Sequence, residues 1–226
     1  MKIAIIGAGN VGGAVARGVT KAGHAVIVTA ADPAQAQSVA QQVGGTAAGG
    51  VAEAARGADV IVLAVPYGAV ADVAGQLGDA ASGKVVVDAT NPLNEDMTSM
   101  VVTERSGAEE VQARLPGARV VKAFNTVFAA NQSDATAGGT VLDGFYAGDD
   151  ETAKQTVRDL LAGIGFRPID AGPLAQARAL EHLAFLNITL NAGHGWSWQS
   201  GWNLSAAPAD PLRSRPRTAG LPRADQ

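Results

Sequence analysis

A doubly wound α/β fold with a mainly parallel sheet is the architecture this sequence predicts, and three observations predict it. The chain opens on a β-prone apolar run, Lys2–Ile6, that leads straight into Gly7-Ala8-Gly9-Asn10-Val11-Gly12. Apolar runs of strand length then recur, separated by stretches of helical composition, and strands alternating with helices build parallel sheets. The central run over residues 59–65 is apolar at nearly every position, as a strand covered on both faces must be.

The elements follow in order. After the first strand and its glycine turn, a helix runs to Lys21 and is stopped by Gly23; a second strand is Ala25–Thr29. Asp32 supplies an N-cap and Pro33 a first-turn residue for a helix over Pro33–Val43, which Gly44 and Gly45 end. Val51–Arg56 forms a short helix. The strand at 59–65 stops at Pro66, and a helix covers 69–77. The strand at 84–88 ends in the polar loop 89–94. The strand at 119–124 is followed by Asn125 and Thr126, and another strand spans 140–147. A helix from Glu151 to Ala162 has an acidic start suited to the helix dipole and an apolar face in Val157, Leu160 and Leu161. A short strand at 166–170 follows. Residues 174–192 form one long helix, apolar on most of its circumference and therefore expected to be buried, in part between subunits. The chain divides into a nucleotide domain at 1–171, a small helical dimerisation or substrate subdomain at 172–204, and a tail at 205–226. That tail is rich in Pro, Arg and Ala and expected to be flexible.

Composition narrows the function. The 226 residues carry a net charge of −4 and no cysteine. A nucleic-acid footprint, disulfides, thiolate catalysis and cysteine metal sites are thereby excluded. No apolar run of about 18 residues offers a membrane span, and no leader pattern precedes the first strand, so a cytoplasmic protein is expected. The glycine turn sits where a Rossmann-type dinucleotide site needs it, between a strand and a helix. Gly7 permits the sharp exit from the strand, Gly9 lets a pyrophosphate approach the backbone, and Gly12 allows close packing of the helix. The first-turn N–H groups of Asn10 and Val11 then face the phosphates.

Further segments carry a resemblance. They are Ala64-Val65-Pro66-Tyr67, Asp88-Ala89-Thr90-Asn91-Pro92-Leu93, Val121-Lys122-Ala123-Phe124-Asn125-Thr126, Gly148-Asp149-Asp150 and Asp170-Ala171-Gly172-Pro173-Leu174, followed by Ala177-Arg178 and Glu181. With the glycine turn, and in this order, they resemble the coenzyme F420-dependent NADP oxidoreductases, whose nucleotide domain also occurs in the STEAP metalloreductases. The resemblance runs from Met1 to about Gly195 and is most specific at 170–181. It implies a homodimeric enzyme that moves a hydride between a nicotinamide dinucleotide and a deazaflavin (F420) or a flavin. The cleft would lie among Val65, Pro66, Tyr67 and Val70, Asn91 and Pro92, and Asn125 and Thr126. The rivals are a reductase of small imines, ketones or hydroxy acids, and a non-catalytic nucleotide sensor of redox state.

Hydride transfer between stacked rings needs position and exclusion of water more than an acid or base, and no catalytic triad is visible. Lys122 reads as a solvated strand terminus, with a proton donor as the alternative. Arg178 and Glu181 read as an i,i+3 ion pair. His24 reads as structural, and no histidine pair has metal-ligand spacing. Trp196, Trp198 and Trp202 cap the core or a dimer contact, or else Trp196 and Trp198, with His194, wall the second ligand.

The second strand ends in Thr29, Ala30, Ala31 and Asp32. Members of the resembled family that prefer NADP carry Ser and Arg just after this strand, where Arg forks onto the 2′-phosphate. Here Asp32 would repel that phosphate and could accept from a ribose 2′-hydroxyl. NADP(H) is thus implied by the family, and NAD(H) or relaxed selectivity by these residues.

Overall fold

The computed structural model describes residues 1–102 and 104–205; the expected flexible tail, apart from Ser205, lies outside them. In chain order the elements are β1 (Lys2–Ile6), α1 (Asn10–Lys21), β2 (Ala25–Thr29), α2 (Pro33–Val43), β3 (Thr46–Ala47), α3 (Val51–Arg56), β4 (Val60–Leu63), α4 (Val70–Leu77), β5 (Val85–Asp88), α5 (Gly107–Arg114), β6 (Arg119–Ala123), β7 (Thr136–Ala137), β8 (Thr140–Val141), β9 (Asp143–Gly148), α6 (Glu151–Ile164), β10 (Arg167–Asp170) and α7 (Ala177–His194).

Eight strands form one sheet in the order β10-β9-β6-β5-β4-β1-β2-β3. From β3 to β6 every neighbouring pair is parallel. The chain winds outward from β1 to β3, returns to place β4 beside β1, and winds outward again. This reversal opens a crevice at the carboxyl ends of β1 and β4, where open α/β sheets bind ligands. β9 runs antiparallel to β6, and β10 runs parallel to β9.

The alternation of strand side chains divides the apolar residues between two cores. Ile3, Ile5, Val60 and Val62 point to the face covered by α1, α2 and α6. Ala4, Ile6, Ile61 and Leu63 point to the face covered by α3, α4 and α5. Each of those strand residues is at most 1% exposed, which accounts for the unbroken apolar runs.

Three expectations need correction. The run at 140–147 is two elements: β8 pairs only with β7 in a small hairpin, while β9 enters the main sheet. Helix α5 escaped the sequence reading although it starts with a full capping box, in which the Ser106 side chain accepts from the Glu109 N–H and the Glu109 carboxylate takes the Ser106 N–H. Helix α7 is not buried all round. Its inward positions include the polar Glu181, Asn187 and Asn191, while Leu186 is 48% exposed.

The segment after α7 folds back onto the sheet. Asp143 donates its N–H to the Trp202 carbonyl (2.9 Å) and its carboxylate accepts from the Leu204 N–H (2.7 Å). Arg167 closes this contact with two guanidinium bonds to the same Asp143 carboxylate.

Candidate active site

The glycine turn is built by two demands of the fold and one position free of them. Gly7 has φ +112°, and a Cβ there would overlap the Ala64 carbonyl oxygen of the neighbouring strand end. A Cβ on Gly12 would overlap the Gly7 carbonyl oxygen. A Cβ on Gly9 would meet no protein atom within 4 Å. Packing therefore does not require glycine at position 9, and the bare backbone there suits close approach by a phosphate. Gly9 caps α1 without a side-chain hydrogen bond, which leaves the N–H groups of the first turn directed at the same place. Thr29, 2% exposed, lies beneath the turn and accepts the Gly7 N–H at 2.8 Å. Asp32 caps α2, accepting the Ala34 N–H at 2.8 Å.

Around this turn opens a cleft of about 1640 Å³. Its lining includes Gly9, Asn10 and Val11 of the turn, Val65, Pro66 and Tyr67 after β4, Asn91 after β5, Asn125 and Thr126 after β6, and Trp198. The sequence-predicted loops thus meet at one edge of the sheet. Thr29, Ala30, Ala31 and Asp32 border the turn without lining the cleft. Val70 and Pro92 are buried. His194 stacks on Trp196 at 4.9 Å, and neither lines the cleft. Trp198 does, with its ring edge-to-face on Phe128 at 5.4 Å.

The floor of the cleft rests on an ionic network inside the protein. Lys122 is 0% exposed, so it is not the solvated strand terminus its position suggested. Its Nζ lies 2.9 Å from Asp88 Oδ2 and 2.9 Å from Glu181 Oε1, both carboxylates fully buried, and donates to the Thr90 carbonyl at 2.6 Å. Burial opposes its charge, yet the Asp88 and Glu181 carboxylates hold its pKa above the ordinary lysine value. Glu181 is satisfied in turn by the first N–H groups of α5, from Gly107 (3.0 Å) and Ala108 (3.2 Å), where the helix dipole also favours a negative charge. The second Asp88 oxygen takes the Thr90 N–H and hydroxyl. The expected Arg178–Glu181 pair is absent among the described residues, and Arg178 instead donates to the Glu104 carbonyl.

The β6 loop is held just as firmly. Phe124 adopts φ +66°, a left-handed conformation costly for a bulky residue. Gln132, 0% exposed, braces it by donating to the carbonyls of Phe124 and Val127. Asn125 and Asn91 are doubly linked: Asn125 Nδ2 donates to Asn91 Oδ1 (3.0 Å) and Asn91 Nδ2 to the Asn125 carbonyl (3.1 Å). Against this rigidity, Asn125 Oδ1 and Thr126 Oγ1 are buried with no partner. Both residues line the cleft, so these two unpartnered atoms belong to side chains that border any bound group. Tyr67 donates to Glu110 at 3.2 Å; burial and the Glu110 carboxylate raise its pKa.

A polar cluster missed in the sequence holds the aromatic wall. Asn191 Nδ2 donates to Ser200 Oγ, Ser200 Oγ to Asn187 Oδ1, and the Trp198 N–H to Asn191 Oδ1. The two asparagines sit one turn apart on the inner face of α7, and that i,i+4 spacing was the available signal.

A Rossmann sheet with a bare glycine turn at its switch point, opening on a cleft, defines the class: a dinucleotide-binding protein. Comparison with known proteins narrows the class. Residues 2–92 match the family model described as NADP oxidoreductase, coenzyme F420-dependent. The F420-dependent NADP reductase of Methanothermobacter marburgensis is 35% identical over 212 residues, covering 84% of this chain and 92% of that protein. Metalloreductase STEAP3 of Rattus norvegicus is 30% identical over 184 residues, with 80% of this chain matching 36% of that protein. A crystal structure assigned as an F420-dependent NADP-reductase from Arthrobacter superposes with a TM-score of 0.78 at 29% identity, covering 87% and 96% of the two chains. An imine reductase from Myxococcus stipitatus shares the fold, with a TM-score of 0.66 at 19% identity over 86% of this chain and 63% of that one. The chain belongs to the F420-dependent NADP oxidoreductase family. Among the described residues, no helix is long and apolar enough to cross a membrane and no cluster of His, Cys, Asp or Glu could hold a metal ion.

Proposed function

We propose that the chain transfers a hydride between NADP(H) and a deazaflavin of the F420 type, or a flavin, with the two rings stacked in the cleft. The observation that carries this reading is that two cleft-lining residues, Asn125 and Thr126, keep polar atoms, Oδ1 and Oγ1, with no partner in the protein. Such atoms cost the folded protein about 1–3 kcal/mol each; a carboxamide NH2 can donate to Asn125 Oδ1, and the Thr126 hydroxyl can donate to a carboxamide or ring carbonyl oxygen. Gly9 and the α1 N-terminus take the pyrophosphate, and Val65, Pro66 and Tyr67 support the dinucleotide between them. Trp198 bounds the second ring and limits water around it.

Among the described residues that line the cleft there is no histidine or lysine to shuttle a proton. Lys122, the one candidate in the sequence, is locked between two carboxylates beneath the cleft. That favours transfer between rings over reduction of a small imine or ketone, which needs a positioned donor. Pairing of two copies through the outer face of α7, where Leu186 is exposed, belongs to the same reading, as does the role of residues 172–204 as the pairing and acceptor-side unit. The test is oxidation of NADPH by F420, FMN or FAD in the presence of the protein. The reading requires turnover with at least one of them; failure with all three overturns it.

A further inference from the structure

We propose that Arg17, projecting from α1, holds the 2′-phosphate of NADP(H) and replaces the arginine that the loop after β2 lacks. The assignment rests on the reading of the cleft as a dinucleotide site and adds the group that selects the dinucleotide.

Asn10, Gly13 and Arg17 fall at positions i, i+3 and i+7 of α1 and so share one stripe of that helix. All three line the cleft, and Gln35 and Ser38 of α2 line it opposite them. The cleft therefore continues from the glycine turn into the groove between α1 and α2. Arg17 does not extend into solvent away from this groove. Its Nη1 lies 3.5 Å from where a Cβ on Gly13 would stand, so the guanidinium folds back along the helix towards the turn, over a residue that offers no side chain to obstruct it.

Charge points the same way. Among the described residues Arg17 is the only cation lining the cleft, and it appears in none of the ion pairs. The loop offers no competitor: Ala30 and Ala31 are apolar, and Asp32 has its carboxylate engaged on the Ala34 N–H. A phosphate monoester seated between α1 and α2 would meet a planar, unpaired guanidinium suited to bidentate contact, with the Ser38 hydroxyl and Gln35 amide on the facing helix. Asp32 caps α2 and does not line the cleft, so Arg17 sets how far NADP(H) is preferred over NAD(H).

The test compares NADPH and NADH binding, by equilibrium titration, to the wild-type chain, Arg17→Gln and Arg17→Lys, with 2′-AMP and 5′-AMP as fragment probes. Arg17 is exposed, so the variants keep the fold, which thermal unfolding checks. Arg17→Gln should weaken NADPH and 2′-AMP by about tenfold or more and shift NADH and 5′-AMP less than about twofold. Arg17→Lys should recover part of the loss. Equal weakening of NADPH and NADH would place Arg17 on the pyrophosphate and overturn the assignment, as would an unchanged ratio. A wild-type chain that binds neither dinucleotide would overturn the dinucleotide reading itself, a different result from an unchanged ratio.

Discussion

Lys122 Nζ and Glu181 Oε1 lie 2.9 Å apart with no solvent exposure on either side chain, and they join the end of β6 to the first turns of α7 across 59 residues of sequence, 181 less 122. With Asp88 the group holds two carboxylates and one ammonium, and the N-terminus of α5 offsets the surplus negative charge. The loops after β5 and β6 both leave from this network, so it fixes the relative position of Asn91 and Asn125 above it.

Lys122→Met should therefore cost about 3–5 kcal/mol of unfolding free energy, because it leaves two carboxylates buried without their cation. Urea denaturation at neutral pH measures this. A loss below about 1 kcal/mol, the usual value of an exposed pair, would show that the network is open to water.

The network also sets a pH dependence. The folded protein holds the Lys122 pKa above its ordinary value of 10.5. A group raised in this way stabilises the fold fully below its unfolded pKa, and the stabilisation is lost as pH rises through the folded value. Wild-type stability should fall on the alkaline side above pH 10.5 more steeply than that of Lys122→Met. Parallel profiles would contradict this.

Gly9 and Gly12 should separate binding from folding. Gly9→Ala adds a Cβ into open space on a backbone with φ −75°, so its melting temperature should stay near wild type while dinucleotide affinity falls. Gly12→Ala drives a Cβ onto the Gly7 carbonyl and should destabilise the fold itself. Thermal unfolding alongside equilibrium titration distinguishes the two, and an unchanged affinity in Gly9→Ala would argue against a pyrophosphate at that backbone.

Thr126→Val should move stability and binding in opposite directions. The Thr126 hydroxyl is buried and unpartnered, so an isosteric methyl removes a desolvation cost of about 1–3 kcal/mol from the free protein. On the proposed function the same change also deletes a hydrogen bond to the bound ring, so affinity should fall. A variant that is more stable and binds the dinucleotide as tightly as wild type would show that the hydroxyl does not face the ligand.

Much of this was legible in the sequence, for reasons that also explain the misses. The strands at the centre of the sheet are covered on both faces, so runs such as Val60–Leu63 announce themselves, and Gly7 and Gly12 are fixed by local backbone geometry. Asp32 before Pro33 announced the start of α2. What failed depended on distant partners. Lys122 at the end of a strand looks solvated until Asp88 and Glu181 are brought around it, and Glu181 looks like a partner for Arg178 until α5 presents its N-terminus. Helix α5 was overlooked despite Ser106 and Glu109, since only Ala108 and Val111 are buried apolar side chains within it. Arg17, one of the 17 basic residues, gains meaning only when α2 is laid beside α1.

The most direct test of ring-to-ring hydride transfer mixes the protein with NADPH and, separately, F420, FMN or FAD under anaerobic conditions and follows the reduced nicotinamide band. Loss of that band matched by reduction of the acceptor is the predicted result. Tight binding of the dinucleotide with no oxidation by any of the three acceptors would contradict it and leave a nucleotide-binding sensor in its place.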